Sequence, residues 1–378
     1  MKIKILFPMY CTGKGVSYTC LSLASSMQKA GGDIHLLMCA ADKKLKRDIL
    51  HTAIPHYLNA FFYRAFPSQN FIRKLTEFKF IREAHSGDIV YLWPGVSFET
   101  YLSLRKKGCI IVVERINCHR LTAKKALDDA YKRCGIPFSH GITDADIAME
   151  TEKLMLSDYI FSPSPMVHKS LLEAGINKEK IIDSSYGWDT NLYTPFEHIP
   201  SEGLTVLFVG RLCIRKGVHL LLDIWKEADI KGGRLIFAGF LEPELEKLCS
   251  QDFKQRNVVL LGFVNDVAQI YSQSDIFVFP SLEEGGPQVT YEAMAYGLPV
   301  IVSQMGAGAV VRNGQDGYVI NPYDKQAWIQ SLKKLANDSK LRAEMGKTGQ
   351  IRAQEFVWEK VGKKRLYDLK VQIDRQKI

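Results

Sequence analysis

The sequence predicts an α/β fold built from two doubly wound parallel-sheet domains that face each other across a cleft. Short apolar, β-prone segments alternate with helical segments in both halves of the chain, which is the pattern of parallel sheets covered by helices. The length of 378 residues suits two domains, and 46% apolar with 24% charged residues is ordinary for a globular protein. Strands are predicted at Ile3–Phe7, Ile34–Met38, Ile89–Leu92, Ile110–Glu114 and Tyr159–Ser162, and then at Thr205–Val209, Arg234–Ala238, Val258–Gly262, Ile276–Phe279 and Val300–Val302.

The domain boundary is predicted between residues 187 and 200. Helical spacing at Tyr18–Ala30 and Ala148–Leu156 places helices in the first half. The periodicity then breaks at residues that favour turns, namely Gly187, Asn191, Pro195 and Pro200. We therefore expect a domain at 1–190, a second at 191–355 and a charged helix at 356–378.

Composition excludes several classes of protein. The eight cysteines are scattered, so neither a zinc site nor a disulfide framework is predicted. The N-terminus has too short an apolar run before Pro8 for a signal peptide, and no segment is long and apolar enough to cross a membrane. A cytoplasmic location is therefore expected, and no nucleic-acid-binding module is recognised.

The positive charge is concentrated in the first half. Residues 1–190 carry a net charge of +7, and residues 191–378 carry +2. Segments 58–66 and 71–82 are aromatic, basic and amphipathic. Two interpretations stay open: peripheral contact with an anionic membrane on its inner face, or a helix that packs its aromatic face on the sheet and leaves Lys and Arg in water.

Two carboxylates flank a glycine-rich turn in the segment 284–299. The apolar strand Ile276–Phe279 precedes it, so Glu284 is predicted in a loop and Glu292 on the following helix. A loop carboxylate at the carboxyl edge of a parallel sheet can accept hydrogen bonds from sugar hydroxyls, and a helix start offers N–H groups to phosphate. The segment thus predicts a site for a sugar joined to a nucleotide through phosphates, whereas in isolation both side chains would be solvated charges.

Two cations flank a second strand-to-helix turn. An apolar strand runs into Gly210, Arg211 follows it, and Lys216 comes just before a segment with helical spacing. Arginine offers a planar fork to phosphate oxygens, and lysine offers a compact charge. These two residues are the predicted diphosphate ligands, and solvated loop cations are the alternative.

Taken together, the motifs resemble the retaining glycosyltransferases of family 4, which have the GT-B fold of two Rossmann-like domains. Four signatures occur in the expected order, at Pro8–Gly15, at Ser184–Asp189 with Tyr193–Pro195, at Gly210–Gly217, and at Glu284 and Glu292 with seven residues between them. The resemblance implies a nucleoside-diphosphate-sugar donor, a glycan or lipid-linked acceptor, surface polysaccharide biosynthesis, no metal or other cofactor, and a last helix that crosses back to the first domain. It covers nearly the whole chain.

The resemblance also implies residue roles. The catalytic residues would be Arg211, Lys216, Glu284 and His119, the last placed near the donor sugar. The donor would contact Gly15, Gly210, Phe263, Val264, Gly285, Gly286, Val289, Thr290 and Glu292. On the acceptor side the candidates are Asn117 and Arg120.

Alternatives and departures remain at this point. A non-catalytic nucleotide-sugar-binding subunit and a sugar-nucleotide epimerase on the same fold are the competing functions. The pair Asp144 and Asp146 resembles a metal motif, but Thr143 with Asp146 predicts a helix capping box instead. The sequence departs from the family pattern at Gly13–Gly15, at Trp188 and at Gly286–Pro287.

Overall fold

The computed structural model describes residues 1–42, 44–45, 48–65, 69–190 and 203–375. The first half forms a parallel sheet that, in the described residues, has the strand order β3-β2-β1-β4-β5-β6-β7. The strands are β1 (Lys2–Cys11), β2 (Asp33–Ala41), β3 (Leu50–Thr52), β4 (Ile89–Leu92), β5 (Ile110–Glu114), β6 (Tyr159–Ser162) and β7 (Ile181–Asp183). The helices are α1 (Gly15–Lys29), α2 (Asn59–Ala65), α3 (Gln69–Glu83), α4 (Phe98–Lys106), α5 (Arg120–Cys134), α6 (Asp144–Leu156) and α7 (Pro165–Glu173).

The second half forms another parallel sheet, with the order β10-β9-β8-β11-β12-β13 in the described residues. Its strands are β8 (Thr205–Val209), β9 (Arg234–Ala238), β10 (Val258–Gly262), β11 (Ile276–Phe279), β12 (Val300–Val302) and β13 (Gly317–Val319). Its helices are α8 (Val218–Ala228), α9 (Pro243–Leu248), α10 (Ala268–Ser272), α11 (Gln288–Ala295), α12 (Lys325–Asn337) and α13 (Ser339–Ala353), and α14 (Trp358–Arg375) follows. The predicted class of two doubly wound α/β domains is confirmed.

The sequence misses the short edge strands. β3 (LHT), β7 (IID) and β13 (GYV) have three residues each, and each contains a polar residue or a glycine, whereas β12 (VIV) has the same length but is wholly apolar and was predicted. β1 continues four residues beyond its predicted end at Phe7, because a register shift between Phe7 and Tyr10 accommodates Pro8. The predicted capping box is confirmed: Thr143 accepts from the Asp146 backbone N–H at 3.1 Å, and Asp146 accepts from the Thr143 N–H at 3.0 Å.

The last helix, α14, packs against α1. Arg365 on α14 forms a fully buried ion pair with Glu114 at the end of β5, at 2.6 Å, and also donates to the Ser185 carbonyl at 2.7 Å. Trp188 is buried as well and donates to the Ala353 carbonyl at 2.8 Å. The chain after α13 is thus tied to the first sheet. Residues 191–202 lie outside the described residues. They include the Tyr193–Pro195 part of the second signature and begin at the predicted boundary 190/191, so the exact domain limits stay predictions.

No helix in the described part of the chain is both long and apolar enough to cross a membrane.

Candidate active site between the two sheets

The carboxyl edges of the two sheets meet through loops. The loop after β5 and the loop after β11 form an antiparallel bridge between Asn117 and Gly285. The approach is so close that a Cβ atom on Gly285 would lie 2.0 Å from the Ile116 carbonyl oxygen. A Cβ on the next residue, Gly286, would lie 2.7 Å from the Tyr186 ring. These two glycines, predicted as donor contacts, therefore also let the two halves approach each other.

Lys216 and Glu284 form an ion pair at this edge. Lys216 ends a short 3-10 helix (Ile214–Lys216) after β8, and Glu284 lies in the loop after β11, as predicted. Burial lowers the pKa of Lys216 to about 7; the Arg215 guanidinium acts in the same direction and the Glu283 carboxylate opposes it. The pair brings together a cation and a carboxylate from the two strongest predicted motifs.

Glu292 lies on α11, the predicted helix, and is partly buried. Burial raises the pKa of its carboxyl group, although a hydrogen bond from the Tyr271 hydroxyl at 3.1 Å opposes this shift. Within the described residues no cation forms an ion pair with it. A desolvated carboxylate with one protein donor has acceptor capacity left for ligand hydroxyls.

Arg211 is exposed at the surface. Its guanidinium pairs with Glu242 at 3.0 Å, and 61% of its side chain is accessible to solvent. The cation that lies nearest to Lys216 in sequence, Arg215, instead points to the buried Glu283. The predicted role of Arg211 as a diphosphate ligand stays a prediction.

Loops from both halves also meet beside the first signature. The Lys14 ammonium lies 5.8 Å from the centre of the Phe263 ring, which is largely exposed. Gly15 has φ +54 and open space above its Cα atom. Gly210 directly follows β8 with φ +141, and its N–H donates to the Ala238 carbonyl.

Thr290, a predicted donor contact, lies on α11. Its side chain is fully buried and donates to the Gly306 carbonyl at 2.8 Å, while its backbone N–H donates to the Pro287 carbonyl at 3.1 Å. Both polar hydrogens are therefore used inside the second half. The neighbouring Val289 carbonyl accepts from the Tyr271 hydroxyl at 3.3 Å. For Val264 the described contacts are apolar packing against the core.

His119, which the resemblance places near the donor sugar, lies inside the first half. It is wholly buried and caps α5, because its Nδ1 accepts from the Leu121 N–H at 3.2 Å. Its Nε2 lies 3.2 Å from the Thr151 hydroxyl and 3.5 Å from the Glu150 carboxylate. Burial lowers its pKa, although Glu150 acts in the opposite direction. Both ring nitrogens thus have partners within the first half, and the role of His119 at the donor sugar stays a prediction.

Both acceptor-side candidates, Asn117 and Arg120, line a cavity of about 470 Å³ between the halves. The sequence did not single out the other charged residues of this cavity, which are Arg115, Glu150, Arg215, Glu242 and Glu283. Arg215 lies within and Glu283 directly beside a recognised signature, whereas Arg115, Glu150 and Glu242 lie outside the four signatures.

Glu283 connects the halves within this cavity. Its carboxylate is almost fully buried, and both of its oxygens accept from the Asn117 side-chain amide at 2.8 Å. Arg215 donates to it at 3.0 Å and the Cys118 thiol at 3.4 Å. Two contacts thus come from the first half and one from the second, on one buried anion.

In the described residues no group of His, Cys, Asp or Glu side chains is arranged to hold a metal ion.

Known glycosyltransferases are similar to the second half of this chain in sequence. The family model described as glycosyl transferases group 1 matches residues 191–352. The capsular polysaccharide biosynthesis glycosyltransferase CapM of Staphylococcus aureus is 30% identical over 185 residues, which is 46% of this chain and 48% of CapM. Spore coat protein SA of Bacillus subtilis is 33% identical over 175 residues, which is 41% of this chain and 46% of that protein. The matched region thus spans about half the length of these curated relatives.

Solved structures match over the whole chain. Sucrose-phosphate synthase from Thermosynechococcus elongatus superimposes with a TM-score of 0.73 at 20% identity and covers 99% of both chains. HepE from Anabaena, solved in complex with UDP and glucose, has a TM-score of 0.69 at 19% identity and covers 98% of this chain and 100% of HepE. The chain therefore has the GT-B fold, and residues 191–352 in its second half match the family model described as glycosyl transferases group 1.

Proposed function

We propose that this protein is a retaining, metal-independent glycosyltransferase. It would transfer a sugar from a nucleoside-diphosphate sugar to a glycan or lipid-linked acceptor, in the biosynthesis of a surface polysaccharide. The observation that carries the proposal is the Lys216–Glu284 pair. It lies where the carboxyl edges of the two sheets meet, and Glu284 is in the loop that leads into the helix of Glu292. The group 1 match over residues 191–352 and the similarity to CapM support it.

The cationic part of the site would stabilise the leaving group. As the bond between the anomeric carbon and the diphosphate oxygen breaks, negative charge develops on that oxygen, and Lys216 is the buried cation that would stabilise it. Arg211 is exposed and would have to leave Glu242 to assist. Because the leaving phosphate can take the acceptor proton, the reaction needs no separate carboxylate base.

The carboxylates would hold the donor hydroxyls. Glu284, which pairs with Lys216, would accept from hydroxyls of the sugar. Glu292 would accept from the ribose, since its carboxylate has one protein donor and is partly desolvated. The base would stack near Phe263, whose exposed ring has room for a planar ligand.

The first half would bind the acceptor. Asn117 and Arg120 line the 470 Å³ cavity, and its carboxylates, amide and guanidinium groups offer both acceptors and donors to a carbohydrate. UDP-sugars are the first donors to test, since UDP and glucose are bound in the HepE structure.

The test is a thermal-shift screen against UDP-, GDP-, ADP- and dTDP-sugars, with and without EDTA. Bound donor at a hundredfold excess over its Kd should stabilise the protein by about 2.7 kcal/mol. The variants Lys216→Met and Glu292→Gln should lose the shift, whereas Lys226→Met, an exposed lysine on α8, should keep it. Release of nucleoside diphosphate from the stabilising donor then separates an enzyme from a binding subunit. No shift with any donor, or a shift that both site variants keep, would overturn the proposal.

A further inference from the structure

We propose that the outer face of α2 and α3 docks on the surface of an anionic lipid bilayer. This surface, called here the α2–α3 face, consists of exposed aromatic and cationic side chains. They are Tyr57, Phe61, Arg64, Phe71, Lys74, Phe78 and Arg82.

The inner side of α3 already has its partners. Ile72, Thr76 and Phe80 are buried against the first sheet. The one carboxylate in the middle of the helix, Glu77, is also buried and accepts from Ser97 and Thr100. These buried residues hold α3 on the sheet.

The outer side of α3 alternates aromatic rings and cations. Phe71, Lys74, Phe78 and Arg82 are spaced by three, four and four residues, so they share one face of the helix. Phe71 is 46% exposed and Phe78 64%. Of the two open interpretations of this segment, the one that packs the aromatic face on the sheet does not account for the exposed Phe78 ring.

The preceding segment extends the same chemistry. Tyr57, in the short 3-10 helix that precedes α2, is 81% exposed. On α2 itself, Phe61 is 64% exposed and Arg64 is exposed as well. Over the described residues 57–65 and 70–83, the only exposed carboxylate is Glu83, at the last position of α3. Aromatic rings favour the interface between headgroups and acyl chains, and lysine and arginine are attracted to anionic headgroups. A bilayer with anionic lipids fits both properties.

The location suits a membrane-anchored acceptor. The Asn59 side chain donates to the carbonyl of Ala41, the last residue of β2, at 3.4 Å, so α2 begins beside the carboxyl edge of the first sheet. The loop with Asn117 leaves the same edge, after β5. A lipid-linked acceptor held in the bilayer would therefore approach the cavity from the side of the docking face; this last step alone rests on the proposed function.

The test is co-sedimentation of the full chain with vesicles of phosphatidylcholine, with and without 30 mol% phosphatidylglycerol (about a third anionic lipid, to give a strong surface potential). Binding is expected with the anionic vesicles and should fall as salt is raised. The variant Lys74→Gln/Arg82→Gln should weaken partitioning about thirtyfold, since each cation near an anionic surface contributes about 1 kcal/mol. The variant Phe71→Ser/Phe78→Ser should weaken it at least about tenfold, because two rings would lose their apolar contact with the bilayer.

Matched controls come from the second half and the last helix. Lys340→Gln/Lys347→Gln on α13 and Tyr367→Ser on α14, whose ring is 67% exposed, should leave partitioning unchanged. Equal binding to neutral vesicles, or full binding by both face variants, would overturn the proposal. A protein that ignores vesicles but forms a dimer that Phe71→Ser/Phe78→Ser dissociates would also overturn it, and would assign the face to a second copy of the chain. Vesicle binding requires no donor, so its failure is distinct from failure of the nucleotide-sugar screen.

Discussion

Replacing Gly285 by alanine should separate the two halves of the cleft. The new Cβ atom would lie 2.0 Å from the Ile116 carbonyl oxygen and 2.8 Å from the Asn117 nitrogen. Ordinary contact needs about 3.5 Å, so the two loops must move apart by more than about 1 Å. The conflict is steric only, because the φ of Gly285 is outside the left-handed region. Such overpacking costs about 1–3 kcal/mol of folding free energy.

The effect on turnover should exceed the effect on donor binding. A displacement of about 1 Å between reacting groups can lower a rate about a hundredfold. We therefore expect release of nucleoside diphosphate from the donor to fall about a hundredfold in kcat for Gly285→Ala. Its Kd for the donor should also rise, since Gly285 is itself a predicted donor contact, but by less than kcat falls, because Lys216 and Glu292 both lie in the second half.

The control for this variant is Gly349→Ala. Gly349 lies inside α13, where the nearest atom to an added Cβ would be 3.6 Å away, an ordinary contact. Alanine there should raise the free energy of unfolding by up to about 1 kcal/mol, because it favours the helix. The assay is urea unfolding together with diphosphate release. Turnover by Gly285→Ala within about twofold of the parent protein, against the hundredfold loss expected from misplacement, would refute the steric reasoning.

Three further predictions concern charged pairs. Because burial lowers the pKa of Lys216 to about 7, Lys216 should lose its charge above that pH, and the affinity for a nucleoside diphosphate should then fall by up to about tenfold per pH unit in calorimetric titrations; a Lys216→Arg variant that falls in the same way would contradict this. The double-mutant cycle of Glu283→Gln and Arg215→Met should give a coupling of about 1–2 kcal/mol in urea unfolding, and additive effects would mean that their contact contributes nothing. Arg365→Met should cost about 3–5 kcal/mol because it leaves Glu114 buried and unpaired, and adding Glu114→Gln should restore most of the loss; an equally unstable double variant would argue against the pair.

Much of the fold was predictable because its strands are buried and apolar. Eight of the predicted strands have the bounds that the structure gives, for example Thr205–Val209 and Ile276–Phe279. The loop position of Glu284 and the helix position of Glu292 were also correct, since Pro287 and Gly297 mark the start and the end of that helix by local chemistry.

The candidate site was predictable only in part. Lys216 and Glu284 were both identified, and the structure brings them into contact. The sequence did not predict that His119 caps α5, because a histidine after a strand has the same sequence pattern whatever its ring contacts; its role at the donor sugar stays a prediction. Glu283 was passed over, because its neighbour matched the motif and nothing local indicates which of two adjacent carboxylates is buried.

The sequence alone determined the two α/β halves, the order of the four signatures and the residue types at each strand-to-helix turn, since all of these depend on local periodicity and turn chemistry. Only the tertiary structure decided which polar and charged side chains are in contact. Asn117 and Glu283 are separated by 166 positions, and Arg365 and Glu114 by 251, yet each pair is in hydrogen-bond contact. Burial and partner choice arise when distant segments pack together, and for that reason no local pattern in the chain carries them.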